Sequence, residues 1–297
     1  MSQITLLDGG MGQELVHRAG DQPTPLWSTQ VMMDHPGMVQ AVHADFFAAG
    51  ATIATTNTYA IHRDRLEGTG LESRFGSLNA TALIEAAAAR NAHGSGRIAG
   101  AIGPLCASYR PDLHPTVKKG ARAYGEVATL LAPACDLLIL ESVASLTHAK
   151  SILEGAAVGG KPMWLALTVD DTDGRKLRSG EPVEKILPLA KGKVEAILIN
   201  CSLPEAIPAA LEVLAKTDLP YGAYANAFEQ ITDDFLKDKS TVDSLQVRKD
   251  MTPAAYAEHA MAWVAQGATI IGGCCEVSPA HIAEVARHLR AAGHSIV

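Results

Sequence analysis

The chain has 297 residues, of which 47% are hydrophobic and 5% aromatic, and its formal net charge is -7. This length suits one large barrel or two ordinary domains. The negative charge and the lack of a basic cluster argue against a nucleic-acid surface, and no apolar stretch approaches the roughly 20 residues of a membrane span. With no recognisable signal peptide and five cysteines that lack a disulfide-framework spacing, we expect a cytoplasmic protein.

Short apolar runs alternate along the chain with longer helical patterns. Eight of these runs are almost continuously hydrophobic, which is typical of strands that are buried on both faces of a parallel sheet. In chain order the predicted strands are residues 4–8, 51–57, 97–103, 137–141, 163–169, 196–201, 221–226 and 269–275.

Helical patterns fill the segments between these runs. Thr252-Pro253 and Ser278-Pro279 each place a capping hydroxyl before a proline at the first helical position, and Gly267 is placed to end a helix. The predicted helices are residues 37–49, 72–93, 117–132, 146–158, 182–190, 204–214, 253–266 and 279–292.

Eight strand–helix units predict an α/β fold, a single (β/α)8 TIM barrel that forms one domain over residues 1–297. An open doubly wound sheet is the alternative, but no Gly-x-Gly-x-x-Gly follows the first strand. Active sites of such barrels lie at the carboxyl ends of the strands. Six predicted strands bring acids, amides and thiols to that face, at Asp8, Asn57, Glu141, Cys201, Asn226, Cys274 and Cys275.

Three cysteines at predicted strand ends form a candidate metal site. Cys274 and Cys275 follow a glycine pair, whose conformational freedom lets adjacent thiols face one ion. Together with Cys201 they leave the fourth position of a tetrahedral zinc site open, as catalysis requires. Two packing residues or a strained vicinal disulfide are alternative interpretations of the pair, and we interpret the other two cysteines as non-ligands.

Two acidic residues at strand ends predict a pocket for an amino acid. Glu141 ends the apolar run Leu-Leu-Ile-Leu, where a carboxylate is costly without a partner. We interpret it as a fixed charge for a substrate ammonium, and an ion pair within the barrel mouth is the alternative. Asp8-Gly9-Gly10 resembles a turn with exposed backbone amides that would hold a carboxylate.

Five motifs follow one another in an order that resembles the homocysteine S-methyltransferase family. That family includes betaine- and S-methylmethionine-dependent enzymes and the homocysteine domain of cobalamin-dependent methionine synthase. The resemblance covers the chain from Ile4 to about Leu289. The motifs are Leu7-Asp8-Gly9-Gly10-Met11-Gly12, Thr56-Asn57-Thr58-Tyr59, Glu141-Ser142, Asn200-Cys201 and Gly272-Gly273-Cys274-Cys275.

The resemblance implies a barrel that binds Zn2+ through Cys201, Cys274 and Cys275. It also implies that Asp8 and Glu141 hold the homocysteine amine and that the Thr-Asn-Thr segment lines the pocket. Alanine replaces the proline that precedes the matching asparagine at the end of strand seven. The substrate-binding residues expected in this way are Asp8, Gly9, Gly10, Thr56, Asn57, Glu141 and Asn226.

The expected reaction transfers a methyl group from a small onium donor to the thiol of homocysteine and gives methionine. S-methylmethionine, S-adenosylmethionine and betaine are candidate donors; no nucleic acid or membrane partner is expected, and a homo-oligomer is compatible with the sequence. Alternatives are a methyltransferase for another small thiol or selenol, a vicinal-thiol redox barrel and a non-catalytic zinc scaffold. Relatives carry glycine or a basic residue at the position of Glu276, which we interpret as a charge that faces a cationic donor, with an acid at a helix start as the alternative. We expect Glu276 and the charged segment 228–250 to set donor choice; a solvated loop or a subunit contact is the alternative.

Overall fold

Parallel strands form the centre of the molecule. A computed structural model describes residues 2–20, 24, 26–229 and 247–297. The strands in these residues are β1 (Gln3–Leu6), β2 (Ile53–Thr55), β3 (Arg97–Ile102), β4 (Leu137–Val143), β5 (Met163–Leu167), β6 (Ala196–Asn200), β7 (Tyr221–Ala225), β8 (Ile270–Gly273) and β9 (Ser295–Ile296). All pairings between these strands are parallel, in the order β2-β3-β4-β5-β6-β7-β8-β1-β9.

Contacts between β1 and β2 close this sheet into a barrel. β1 pairs with β8 on one side. On its other side Leu7 bridges Ile53, and the N–H of Thr52 donates to the carbonyl oxygen of Leu6 at 2.7 Å. The predicted (β/α)8 barrel is therefore confirmed. Strand β9, which pairs with the start of β1, was not predicted, because two residues are too few to show a periodic pattern.

Helices cover the barrel strands. In the described part of the chain the α-helices are α1 (Met11–Ala19), α2 (Trp27–Asp34), α3 (Met38–Ala49), α4 (Arg63–Leu66), α5 (Phe75–His93), α6 (Val117–Leu131), α7 (Leu146–Ala156), α8 (Leu187–Ala190), α9 (Ile207–Leu214), α10 (Pro253–Ala265) and α11 (Pro279–Ala291). The predicted helices correspond to α3 and to α5 through α11, although the first half of the helix predicted over 182–190 is a 3-10 helix, Val183–Ile186. The helices α1, α2 and α4 lie in connections after β1 and β2 for which no helix was predicted.

The alternation of side chains along each strand aims the functional groups. In β4, Leu137 and Ile139 belong to a cluster of strand residues inside the barrel, whereas Leu138 and Leu140 pack in the layer between strands and helices. Successive strand residues point to opposite faces, so Glu141 continues the inner series at the carboxyl end of the strand. The same alternation in β8 brings Cys274 against the inner cluster.

No helix in the part of the chain that the structure describes has both the length and the apolar character needed to cross a bilayer.

Candidate metal centre and substrate site

A cavity opens at the carboxyl end of the barrel. It gathers side chains from the ends of several strands, as the barrel fold predicts. Every predicted site residue except Asn226 lines this cavity, namely Asp8, Gly9, Gly10, Thr56, Asn57, Glu141, Cys201, Cys274 and Cys275.

Three cysteine sulfurs meet at the inner end of the cavity. The Sγ atoms of Cys201, Cys274 and Cys275 all lie within 4.8 Å of one another. A disulfide joins Cys201 to Cys274, whose Cα atoms are 5.7 Å apart, and Cys275 is free. The disulfide therefore links the ends of β6 and β8 and does not join the adjacent cysteines, as a vicinal disulfide would.

The turn that carries Cys201 is held by its neighbours. Cys201 has a φ of +44°, a left-handed conformation that is uncommon for residues other than glycine. The hydroxyl of Thr168 donates to the carbonyl oxygen of Cys201 at 3.1 Å, and the N–H of Cys201 donates to the carbonyl oxygen of Tyr224 at 3.3 Å. These bonds, to Thr168 just after β5 and to Tyr224 in β7, hold the backbone of Cys201 in this turn.

Gly9 and Gly10 pack directly against the turn that carries the cysteine pair. A Cβ on Gly10 would lie 2.6 Å from the carbonyl oxygen of Cys274, and a Cβ on Gly9 would collide with the carbonyl oxygen of Val277. The N–H of Gly10, predicted to be exposed for a substrate carboxylate, instead donates to the carbonyl oxygen of Val277 at 2.8 Å. The glycine pair therefore allows the close approach of two backbone segments.

Asp8 is buried beside the start of this turn. Its Oδ2 accepts the N–H of Thr55 and its Oδ1 accepts the Thr55 hydroxyl, both at 2.7 Å. Burial raises the pKa of Asp8 to about 8 in spite of these bonds. The Nδ1 of buried His43 lies 3.9 Å from Asp8 Oδ2, but burial lowers the pKa of His43 to about 3, so this imidazole is neutral. Among the residues that the structure describes, Asp8 thus has no cationic partner that would keep it charged.

Glu141 is a second buried carboxyl group on the cavity wall. Its Oε1 accepts the hydroxyl of Tyr224 at 2.9 Å, and burial raises the pKa of Glu141 to about 7. The next residue, Ser142, has a φ of +54° and is held by Asn200, whose Oδ1 accepts the Ser142 N–H at 3.0 Å and whose Nδ2 donates to the Ser142 hydroxyl at 3.1 Å. Two of the recognised motifs, Glu141-Ser142 and Asn200-Cys201, therefore contact each other.

The raised pKa values of Asp8 and Glu141 predict that these two groups destabilise the ligand-free, reduced protein as the pH rises. Both hold more protons when folded than when unfolded, whereas buried His43, His62 and His148, whose pKa values are lowered, hold fewer and act in the opposite direction. Comparison with the Glu141→Gln variant cancels the histidine contribution, which both proteins share. We expect the free energy of unfolding of the unchanged protein to fall, relative to that of the variant, by on the order of 1 to 2 kcal/mol between pH 5 and 7, measured by urea unfolding at constant ionic strength. Equal slopes for both proteins would contradict the assignment.

The predicted polar residues of the second and seventh strands have mixed roles. The hydroxyl of Thr56 accepts the N–H of Ala101 at 3.0 Å, so it holds β3 while it borders the cavity. Asn57 Nδ2 donates to the carbonyl oxygen of Ser28 at 3.3 Å. Asn226 is buried and does not line the cavity. Only Thr56 and Asn57 of these three therefore lie where a substrate can touch them.

Aromatic residues that the sequence reasoning did not identify form the outer wall of the cavity. They are Trp27, Tyr59, Tyr109 and Phe228. Tyr59 falls inside a recognised motif and Phe228 begins the charged segment 228–250, whereas Trp27 and Tyr109 come from connections without periodic patterns, so no local signal marked them. Of the charged segment 228–250, which was expected to influence donor choice, residues 230–246 lie outside the described residues.

The chain is similar over nearly its whole length to known methyltransferases. A model of the family described as homocysteine S-methyltransferase matches residues 5–289. The homocysteine S-methyltransferase of Escherichia coli K12 is 30% identical, with 94% of this chain and 93% of that protein covered. Homocysteine S-methyltransferase YbgG of Bacillus subtilis 168 is 29% identical, with 97% and 95% covered.

Solved structures of one relative share the fold. The homocysteine methyltransferase MmuM from Escherichia coli in its metallated form superposes with a TM-score of 0.81 at 28% identity, and 96% of each chain is covered. Its oxidised form superposes with a TM-score of 0.80 at the same identity and coverage.

Proposed function

The chain belongs to the homocysteine S-methyltransferase family, and we propose that it transfers a methyl group from a small onium donor to the thiol of homocysteine and so forms methionine. The observation that carries this proposal is the convergence of three cysteine sulfurs with two buried carboxyl groups in one cavity. The proposal treats residues 1–297 as one homocysteine-binding barrel.

The three cysteines fit Zn2+ as the resident metal. Reduction of the Cys201–Cys274 disulfide gives three thiols, with Cys275, within 4.8 Å of one another. Among the described residues no other cluster of metal-ligating side chains of this kind is found. Zinc favours four ligands, and three protein sulfurs leave one position for a substrate thiol. When bound, zinc would keep that thiol deprotonated at neutral pH, at which free thiols are mostly protonated.

Asp8 and Glu141 would bind the substrate ammonium. Both carboxyl groups line the cavity, and burial raises the pKa of each. A cationic partner would therefore stabilise the charged form of each group. Thr55 and Tyr224 hold the two carboxyl groups in place through hydrogen bonds. Binding of the ammonium would therefore orient the amino acid with its thiol toward the cysteines.

Methyl transfer depends on the position of the donor methyl group and on the positive charge of the donor. In the donor, the bond between the onium atom and its methyl carbon breaks, and its electron pair stays on the former onium atom, which becomes neutral. The homocysteine sulfur forms the new bond with its own electron pair, and the thiol proton leaves to solvent when the thiolate forms. Displacement requires the methyl carbon in line with the sulfur, at about 3 to 3.5 Å, before reaction. The aromatic wall of the cavity offers π-faces that favour a cationic donor.

The proposal is tested with the reduced, zinc-loaded protein, homocysteine and S-methylmethionine, S-adenosylmethionine or betaine. We expect methionine to form with at least one donor, detected by mass spectrometry with a deuterated methyl group. Cysteine and selenocysteine as competing acceptors test the alternative of another small thiol or selenol. Formation of methylated cysteine or methylselenocysteine at a higher kcat/KM than that of methionine would overturn homocysteine as the acceptor, and absence of transfer with every donor would overturn the activity.

A further inference from the structure

A chain of hydrogen bonds connects Glu276 to the cavity wall. Trp27 Nε1 donates to Gln13 Oε1 at 2.7 Å, and Gln13 Nε2 donates to Glu276 Oε1 at 2.6 Å. An indole N–H can only donate and a carboxylate only accepts, so the Gln13 amide has a single orientation that satisfies both ends. Glu276 therefore fixes the amide, and the amide fixes the indole.

The carboxylate of Glu276 does not face the cavity. Its second oxygen, Oε2, lies 3.0 Å from Nε2 of His17, its side chain is only 7% exposed, and Glu276 is not among the residues that line the cavity. Direct stabilisation of a donor's positive charge, as first expected for Glu276, does not fit this placement. An effect on the donor would have to pass through Gln13 and Trp27.

The backbone at Glu276 favours glycine. Its φ is +64°, a left-handed conformation that costs a side-chain-bearing residue free energy and persists only when the surroundings hold it. A glutamate in such a position is explained by contacts that a glycine lacks. In the described part of the chain, its side chain makes polar contacts to Gln13 and His17.

The indole of Trp27 lies beside Tyr59 and Gly12 at the cavity. Its ring lies 6.3 Å from that of Tyr59 in an edge-on arrangement, with an interplanar angle of 78°. A Cβ on Gly12 would lie 2.5 Å from the indole ring, so the glycine makes room for it. The indole lines the cavity that also contains the three cysteines.

We propose that Glu276 is a positioning residue for the methyl donor, because through Gln13 it holds the indole of Trp27 in the orientation that receives the onium group. This inference rests on the proposed methyl transfer. An indole stabilises a cation only when the cation lies over the ring face, within about 6 Å of the centroid. Loss of the Glu276 contact frees the amide and then the indole, so the donor loses this interaction while homocysteine keeps its own contacts.

The test is the Glu276→Gly variant, assayed in the zinc-loaded enzyme with whichever of S-methylmethionine, S-adenosylmethionine and betaine supports turnover. Glycine suits the left-handed backbone, so the variant should fold with an unchanged or raised melting temperature. We expect the donor KM to rise about three- to tenfold, as for loss of one well-placed hydrogen bond. The homocysteine KM and the zinc content should change less than about twofold, within the small effects of independent sites.

Two further variants separate a positioning role from a general structural one. Gln13→Met removes the connecting amide at similar size and should raise the donor KM to the same extent. The double variant Glu276→Gly, Gln13→Met should show no further rise, because both changes break one connection in series. Glu14→Gln is the matched control, since Glu14 lies next to Gln13 on α1 but pairs with Arg18 at 2.7 Å; its donor KM should equal that of the unchanged enzyme.

The outcomes distinguish this inference from the proposed function. If the unchanged enzyme forms methionine but Glu276→Gly keeps its donor KM, the positioning role is wrong and the methyl transfer stands. Additive rises in the double variant, or equal rises in the KM of donor and homocysteine, would also overturn the positioning role. If the unchanged enzyme transfers no methyl group from any donor, the proposed function itself fails.

Discussion

Replacement of Cys201 by alanine is expected to remove the bound zinc and to lower the rate of methionine formation at least about 100-fold at neutral pH. The variant leaves two sulfurs where three converge within 4.8 Å, and two thiolates are too few for a catalytic zinc site. A substrate thiol without metal, at a pKa of about 8.5, is only a few per cent thiolate at pH 7. Loss of its fixed position lowers the rate further.

The measurement is zinc per chain by atomic emission after purification under reducing conditions, together with the rate at saturating donor. Cys106→Ala is the matched control, because Cys106 is an exposed free cysteine outside the cavity. That variant should keep its zinc and its rate. A Cys201→Ala enzyme that retains one zinc per chain and full activity would show that the three sulfurs are not the metal site.

The disulfide in the structure adds a condition to this experiment. Cys201 and Cys274 are joined, and sulfurs in a disulfide are not available as thiolates. The unchanged protein should therefore take up zinc only after reduction, whereas Cys274→Ala cannot form this disulfide and still lacks one ligand. Zinc content is therefore measured before and after reduction. Zinc that binds only after reduction indicates that the site was oxidised, whereas zinc that is absent in both measurements indicates the loss of a ligand.

The barrel and the positions of the main candidate site residues were predictable because both depend on local pattern. Glu141 ends an apolar run and lies in step with Leu137 and Ile139, so the alternation of β4 alone places its carboxyl group inside the barrel. Cys201 and Cys274 end runs of the same kind. In a closed parallel barrel such ends converge, so the proximity of these residues can be inferred without knowledge of side-chain contacts.

The partners of these residues were not predictable, since they come from contacts distant in sequence. Nothing in the sequence near Asp8 indicates that Thr55 binds both of its carboxyl oxygens. Likewise Trp27 begins a helix with a φ of +48°, and its bond to Gln13 depends on how the connection after β1 folds back. The prediction that backbone amides at Gly9-Gly10 are exposed for a substrate carboxylate was wrong for the same reason, because the carbonyl oxygen of Val277 accepts the N–H of Gly10.

Glu141 should bind the ammonium of homocysteine, so Glu141→Gln is expected to raise the homocysteine KM about tenfold or more, the loss for one charge-assisted bond of about 1.5 to 3 kcal/mol. The glutamine keeps an oxygen that accepts the Tyr224 hydroxyl, now 2.9 Å from Glu141 Oε1, so the shape of the wall is retained. Zinc content and donor KM should not change, because neither depends on this carboxyl group.

The decisive comparison uses an acceptor without the amino group. 4-Mercaptobutyrate has the thiol and carboxylate of homocysteine but no ammonium, so it should bind Glu141→Gln and the unchanged enzyme with KM values within about twofold of each other, as expected when the altered group has no partner. Glu154→Gln, which neutralises an exposed acid on α7, is the control for loss of negative charge and should leave both KM values unchanged. Equal weakening of the two acceptors by Glu141→Gln would mean that Glu141 shapes the cavity without contacting the ammonium. Selective weakening of homocysteine would instead identify the charge of this buried carboxyl group, whose pKa burial raises to about 7 in the free protein, as the feature that recognises an amino acid.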